Sequence, residues 1–306
     1  MALRNSTLKK WKQQALAVLI AVAALPFLYS GNDDISLLEK AHQRGSLTLL
    51  TRNSASSYFI GPEGGTGPEY DIVAAFADYL GIALEVKIAG EFNDLGSLLI
   101  RRQGELIAAN LTRTPAREKL FNFGPDYAET TTVVVYKRGK KRPRELSDLL
   151  GMRLAVIAGS SYESLLENAQ KEIPGLQWVS EKSMGMEGLL MAITDGDLDA
   201  TLVDSNILKI NSQFYPGLKI GFELAEHQHQ AWAFQSGDDD SLVQKARSFF
   251  KLINENGSLA AIQNRYKENG NELDRVGMFQ FMKQVRKRLP ALMPLFQEVA
   301  TVHGLD

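Results

Sequence analysis

The chain contains no cysteine among its 306 residues. This excludes disulfides, thiolate metal sites and a lipid-modified N-terminal cysteine. Stability must come from a packed core, which a chain of this length can supply, and the length suits two lobes or domains. Histidine is scarce, with four copies. His227 and His229 are spaced to share one face of a strand, but no third metal ligand accompanies them. A net charge of −2 leaves no basic excess to draw nucleic acid. No apolar run reaches the roughly 20 residues of a spanning helix. The longest, Ala15 to Tyr29, is interrupted by Pro26 and follows Arg4, Lys9, Lys10 and Lys12 with no acid among them. That is the layout of a secretory signal, so residues 1–30 are expected to be a signal peptide or a retained N-terminal anchor.

Beyond it, short β-rich runs alternate with helical patterns. Strands are expected at 47–51, 83–88, 106–109 and 130–136, with helices at 68–80 and 91–102 between them. In the first helix Ile72, Val73, Phe76 and Leu80 share one face and Gly81 closes it. After the basic run "KRGKKRPRE", taken as a solvated loop, the alternation restarts. Strands fall at 153–157, 176–179 and 200–203, and helices at 160–170, 184–195 and 205–214. A strand at 231–234 precedes helices near 240–255 and 258–268. Two successive alternations predict an α/β protein with two open, largely parallel sheets covered by helices. Ligands in such sheets sit beyond the carboxyl ends of the strands, and two facing lobes make a cleft.

The stretch "NLTRTPAREKLFNFGPDY", residues 110–127, carries the most pointed local signal. Thr114 followed by Pro115 reads as a cap and first turn, yet Gly124-Pro125 leaves room for only a stub of helix. Arg117 sits on that stub, either presented to a cleft or paired at the surface with Glu118 or Asp126. Ser160 and Ser161 open a later helix whose free N–H groups attract carboxylate, while Ser160 with Glu163 also spells a capping box. Asp204 ends a strand and is placed to cap the next helix. The turn cluster "GPEGGTG" lacks the lysine of a phosphate loop, and no cofactor pattern is present. "YESLL", residues 162–166, echoes lysozyme-like motifs, but Glu163 is committed to capping.

Four stretches in order resemble the signatures of extracellular solute-binding proteins of the polar amino-acid type. They are "GTGPEYDIVAAFADYLGIALEV", "LTRTPAREKLFNFGPDY", "GDLDATLVDSN" and "NENGSLAAIQNRY", within residues 44–268. The N-terminal signal, "RPRELSDLLGMRLAV" and the tail from Phe281 extend the likeness to the N-terminal half of the membrane-bound lytic murein transglycosylase F family. The resemblance implies a two-lobed periplasmic-binding-protein-like fold of type 2 over 31–270, with lobe 1 at about 44–132 and 232–270 and lobe 2 at about 133–231. Residues 271–306 would be a helical linker and the start of a lysozyme-like domain whose catalytic glutamate lies beyond Asp306. No catalytic residue is therefore expected here.

By the same resemblance Arg117 holds a ligand carboxylate and Asp204 its ammonium. Ser161, Thr112 and Asn110 add contacts to the carboxylate, and Tyr58 and Phe92 cover the apolar part. Where the family has Gly-x-x-Asp ahead of Asn110, this chain has only Gly104-Glu105, a shorter turn. The implied partners are a small amino-acid-like or muropeptide ligand, peptidoglycan through the further domain, and the outer membrane on its periplasmic side. The alternatives are a stand-alone amino-acid receptor of an uptake transporter and an adaptor with a vestigial cleft. In the tail, Met278, Met282, Val285, Leu289, Leu292, Phe296 and Val299 form an apolar stripe. Pro290 and Pro294 predict two helices, about 277–288 and 291–302, bent at Leu289-Pro290.

Overall fold

Two long antiparallel strands organise the molecule. In the computed structural model, β6 (Phe121–Lys137) and β10 (Leu218–Gln235) pair along nearly their whole length. The structure describes residues 35–304 apart from 62, 213 and 269–271, and for parts of the last two helices the backbone only. The expected signal or anchor at 1–30 lies outside the described residues. The described residues fall into two compact units, one up to Arg44 and one from Gly45 onward. In the first, the described part is helix α1 (Leu37–Arg44).

In the second unit, β1 (Ser46–Thr51) pairs in parallel with β4 (Ala83–Ile88) and β5 (Leu106–Ile107). The last residues of β10 and the first of β6 complete this lobe in antiparallel fashion. In the other lobe, the far half of β6 pairs with β9 (Ala200–Asp204). A bridge from Leu154 to Ala200 leads on to β7 (Ala155–Ile157) and its parallel partner β8 (Val179–Glu181). The expected two-lobed α/β fold is present, with mixed pairing where largely parallel sheets were expected. The sheet order β4-β1-β5-β10-β6-β9 is continuous and mixed, because β6 and β10 serve both lobes.

Gly124-Pro125 does not break β6 as its composition suggested. From Phe123 to Asp126 the strand advances three residues while β10 advances two, from Ala233 to Ala231. A bulge of this kind absorbs the residue that cannot donate to the ladder. A second bulge puts His227 at φ 52°, so the regular alternation that would align it with His229 is interrupted. Between these irregularities β6 and β10 pair mainly with each other, which makes this stretch the connection between lobes.

The first lobe carries α2 (Pro68–Leu80), α3 (Asp94–Ile100), α4 (Pro115–Glu118), α8 (Ser241–Glu255) and α9 (Ser258–Glu268). Gly67 leads into α2 at φ 140°, where any Cβ would lie 2.3 Å from the Ser57 carbonyl oxygen, so the turn admits only glycine. That turn is closed by a hairpin, β2 (Phe59–Gly61) and β3 (Gly64–Thr66), made from the glycine cluster. The core stacks Phe76, Trp232, Phe249 and Phe250 with centroids 4.6–6.2 Å apart. Each such pair adds about 0.5–1.5 kcal/mol beyond area burial.

The second lobe carries α5 (Ser161–Gln170), α6 (Met186–Asp195) and α7 (Ser205–Asn211) around Val133–Val135, Val156, Leu189, Leu190 and Leu202. These valines come from the half of β6 buried on both faces, hence the unbroken apolar run. The tail is one helix, α10 (Glu272–His303), passing through Pro290 and Pro294. The predicted break at Leu289-Pro290 is absent, because a proline inside a helix removes one hydrogen bond and crowds the previous turn without forbidding continuation. Leu292, Leu295, Phe296 and Val299 on α10 are exposed.

Candidate functional site

Arg117 owes its position to the stub helix that the sequence announces. Thr114 Oγ1 accepts from the Arg117 N–H at 3.3 Å, and Pro115 fills the first helical position. The surface partners considered for Arg117 belong instead to Arg113. Its guanidinium lies 2.7 Å from Asp126 and 3.6 Å from Glu118, with Phe123 beneath it at 5.2 Å. Arg117 is left to face the second lobe.

There its Nη1 donates to the Thr112 carbonyl at 2.8 Å and its Nη2 to the Gly159 carbonyl at 3.1 Å. The guanidinium stacks over Phe92 at 5.5 Å. Burial pulls its pKa down to about 10, partly opposed by Tyr162 and Asp204. Two of five N–H donors are thus committed to neutral carbonyls, and among the described residues no carboxylate pairs with the cation.

A cavity of about 60 Å³ lies at this point, lined among others by Phe92, Asn110, Thr112, Arg117, Ser161 and Tyr162. The lobes are closed. Five of the seven expected residues meet here. Ser161 Oγ donates to Thr112 Oγ1 at 3.2 Å across the cleft. Thr112 is placed by the segment 111–113, which runs beside β10 through bonds of Arg113 N–H to the His229 carbonyl and Ala231 N–H to the Leu111 carbonyl. Phe92 packs against both hydrophobic cores.

Asn110 lines the cavity in a left-handed backbone conformation, φ 53°, which asparagine tolerates. Its Nδ2 is spent on the turn between β1 and β2, on the Ser56 carbonyl, Ser56 Oγ and Ser57 Oγ at 3.0–3.1 Å. The short Gly104-Glu105 turn has its own logic. A Cβ at Gly104 would lie 2.6 Å from Leu50 Cγ, and Glu105 Oε2 accepts from the Thr48 N–H at 2.7 Å.

The other two residues lie off the cavity. Tyr58 is buried beside Tyr70, ring centroids 5.3 Å apart, and burial then Tyr70 push its pKa up. Asp204 is buried behind the cleft wall, its oxygens taken by Thr132 Oγ1 at 2.9 Å and Gln230 Nε2 at 3.0 Å. It holds the N-cap position of α7 without making a side-chain cap. Burial pushes its pKa to about 6 against the pull of those donors, Tyr162 and Arg117.

Ser160 caps α5 as expected, accepting from the Glu163 N–H at 3.4 Å. Glu163 returns one oxygen to the Gly159 N–H at 2.7 Å rather than to Ser160, and the other to Ser180 Oγ. Burial raises its pKa, but these bonds outweigh burial and hold it below the usual glutamate range. A carboxylate so held is a poor proton donor.

Sequence reasoning missed a second cross-lobe contact. Glu187 Oε1 on α6 accepts from the Ala55 N–H at 3.0 Å and Ser54 Oγ at 3.2 Å in the first lobe. Arg52, just past the carboxyl end of β1, lines the same cavity. Burial lowers its pKa, with Glu187, Glu91 and Asp94 opposing. The signal for Arg52 was its place beyond a strand end. Glu187 carried none, being an acid in the first turn of a helix. Among the described residues no three His, Asp or Glu cluster to hold a metal, and no helix is long and apolar enough to cross a membrane. His227 bonds Glu129, and His229 lies 3.6 Å from Asp126.

Comparison with known proteins agrees with this geometry. Residues 48–269 match the model of the bacterial extracellular solute-binding proteins, family 3. The chain is 35% identical over 289 residues, 94% of its length, to a membrane-bound lytic murein transglycosylase F from Stutzerimonas stutzeri, of which it covers 60%. It is 33% identical over the same share to one from Pseudomonas syringae pv. syringae, covering 58% of that protein. The chain therefore spans about 60% of the length of the curated relatives it matches. Among solved structures, an amino acid ABC transporter substrate-binding protein from Streptococcus pneumoniae bound to L-arginine superposes with TM-score 0.68 at 21% identity, over 76% of this chain and 98% of that one. A putative L-cystine ABC transporter from Listeria monocytogenes gives TM-score 0.67 at 17% identity, over 74% and 97%. These likenesses establish the two-lobed amino-acid-binding-protein fold, and the family match establishes kinship: the chain belongs to the bacterial extracellular solute-binding proteins, family 3.

Proposed function

We propose that this chain is the ligand-binding, regulatory module of a peptidoglycan lytic transglycosylase, exported to the periplasm and associated with the outer membrane. Its lobes close on a small amino-acid-like or muropeptide ligand. The observation that carries the reading is the meeting of Arg117 and Thr112 from one lobe with Ser161 and the Gly159 carbonyl from the other in one cavity. A half-buried guanidinium satisfied only by carbonyls is suited to a carboxylate, which it can grip with two parallel bonds. Phe92 beneath it offers an apolar face to the rest of a ligand. Asp204, held behind the wall, would draw a ligand ammonium through its field and becomes available if Gln230 or Thr132 turns aside.

The transglycosylase context is supported by relatives that share 33–35% identity over 94% of the chain. In such a protein, closure on a cell-wall fragment would bias the activity of a further domain, a switch of the hinge-closure type. Residues 1–30 act as the export signal or anchor, and 271–306 as the connection to that domain. A stand-alone receptor of an uptake transporter is the second reading, favoured by the names of the structural neighbours. Calorimetry with amino acids and purified muropeptides tests binding. Muropeptides binding in preference to free amino acids supports the first reading, and the reverse order supports the second. Binding of neither overturns both.

A further inference from the structure

A second cavity, of about 270 Å³, opens where the hinge strands, α2, α7 and α9 come together. It is more than four times the volume of the cleft cavity, and the two share Ser56 and Asn110. Its apolar wall is Pro68, Ile72 and Ile210, and its polar wall is rich in acceptors. Glu69 and Glu129 line it, and no lysine, arginine or histidine does. Glu69 is 2% exposed. Its Oε1 accepts from the Tyr127 hydroxyl, while Oε2 has no hydrogen-bond partner among the described residues. Trp232 Nε1 is also without one, and it and the Asn110 N–H are near enough to draw the Glu69 pKa down. Burial wins, and the carboxyl is pushed up to about 7.

A buried carboxylate is costly unless its partners offset the lost hydration, and at Glu69 the three donors do not outweigh burial. The ionisable groups lining its surroundings, Tyr127, Glu129 and Tyr266, are neutral or acidic. Gln230 and Asn206 are engaged with each other at 2.8 Å, and Gln230 also with Asp204. Among the described residues no lining side chain brings Glu69 a positive charge. We propose that this cavity is a second binding site that takes an organic cation, an ammonium or guanidinium head on Glu69 with a short aliphatic stem along Ile72 and Ile210. The site rests on this cavity alone and is independent of what the cleft binds.

The test is titration of the 306-residue chain with n-butylammonium and with n-butanol, by calorimetry and amide chemical shifts. Saturable millimolar binding of n-butylammonium is expected, with the neutral alcohol at least about tenfold weaker, the cost of losing the charge pair. Glu69→Gln should weaken the amine at least about tenfold. Ala128→Leu, which fills the cavity from β6 without touching the carboxyl, should do the same and decides alone if Glu69→Gln does not fold. Equal binding of alcohol and amine, wild-type affinity in a folded variant, or no saturable amine binding would each overturn the site and leave Glu69 a structural partner of Tyr127 and Trp232.

Discussion

Arg117 reaches across the cleft to donate to the Gly159 carbonyl at 3.1 Å, while its other nitrogen holds Thr112 at 2.8 Å in its own lobe. This cation, in contact with both lobes, is thus met by neutral oxygens. A ligand carboxylate entering here would exchange the Gly159 contact, in which only the donor is charged, for one in which both partners are.

Arg117→Lys should therefore weaken a carboxylate ligand by at least about tenfold, or about 1.4 kcal/mol. An ammonium cannot make two parallel bonds and stacks less well on Phe92. Calorimetry on wild type and variant is the measurement. Equal affinities for the same ligand would make Arg117 a structural link between Thr112 and Gly159 rather than a recognition residue.

Closure has a second holding point. Glu187 accepts from Ala55 N–H and Ser54 Oγ, and hydrogen bonds to a charged group contribute about 1.5–3 kcal/mol each. Losing them in Glu187→Ala should shift the lobes toward an open state by more than about tenfold in population. A larger radius of gyration by small-angle X-ray scattering is expected. An unchanged value would mean that Arg117 and Ser161 suffice to hold the lobes together.

What the sequence made legible was what local rules decide. The stub helix at Arg117, the Gly81 stop of α2 and the Ser160 cap all follow from residues within four positions of each other. Strand lengths were not legible. Residues 121–129 hold Gly124, Pro125 and scattered polar groups, and only their pairing with β10 makes them strand. That pairing links positions about a hundred residues apart, and it also runs one mixed sheet through both lobes. Tyr58 lies off the cavity for a related reason, since its packing on Tyr70 depends on the hairpin that the glycine cluster forms. Asp204 was correctly placed at a strand end, but its burial came from Gln230 on a strand predicted to begin one residue later.

Stability should fall as pH rises through the range of two buried acids. Glu69 goes from 4.5 to about 7 on folding and Asp204 from 3.8 to about 6. A raised carboxyl binds more protons in the folded than in the unfolded chain between its two pKa values, so raising pH costs stability across that window. Below about pH 4 both states are protonated and the penalty vanishes. For Glu69 the full penalty, reached above about pH 7, is on the order of 3 kcal/mol. Urea melts between pH 5 and pH 8 should show this decline, and Glu69→Gln should flatten much of it. A slope unchanged in the variant would place the pH dependence elsewhere.

The tail offers a test of helix energetics. α10 runs from Glu272 to His303 through Pro290 and Pro294, and each proline forgoes one backbone hydrogen bond and crowds the turn before it. In a helix interior proline is about 3 kcal/mol less favourable than alanine. The residues around Pro294 gain little from packing to offset this, for Leu292, Met293, Leu295 and Phe296 are 40–54% exposed. Pro294→Ala should therefore stabilise the C-terminal half of α10 by up to about 3 kcal/mol without affecting the lobes. Amide exchange read residue by residue would show slower exchange across 291–302 and no change in β6 or β10. If exchange in 291–302 stayed at the wild-type rate, the stretch would owe its helix to contacts made by its side chains, and the proline would be a minor term.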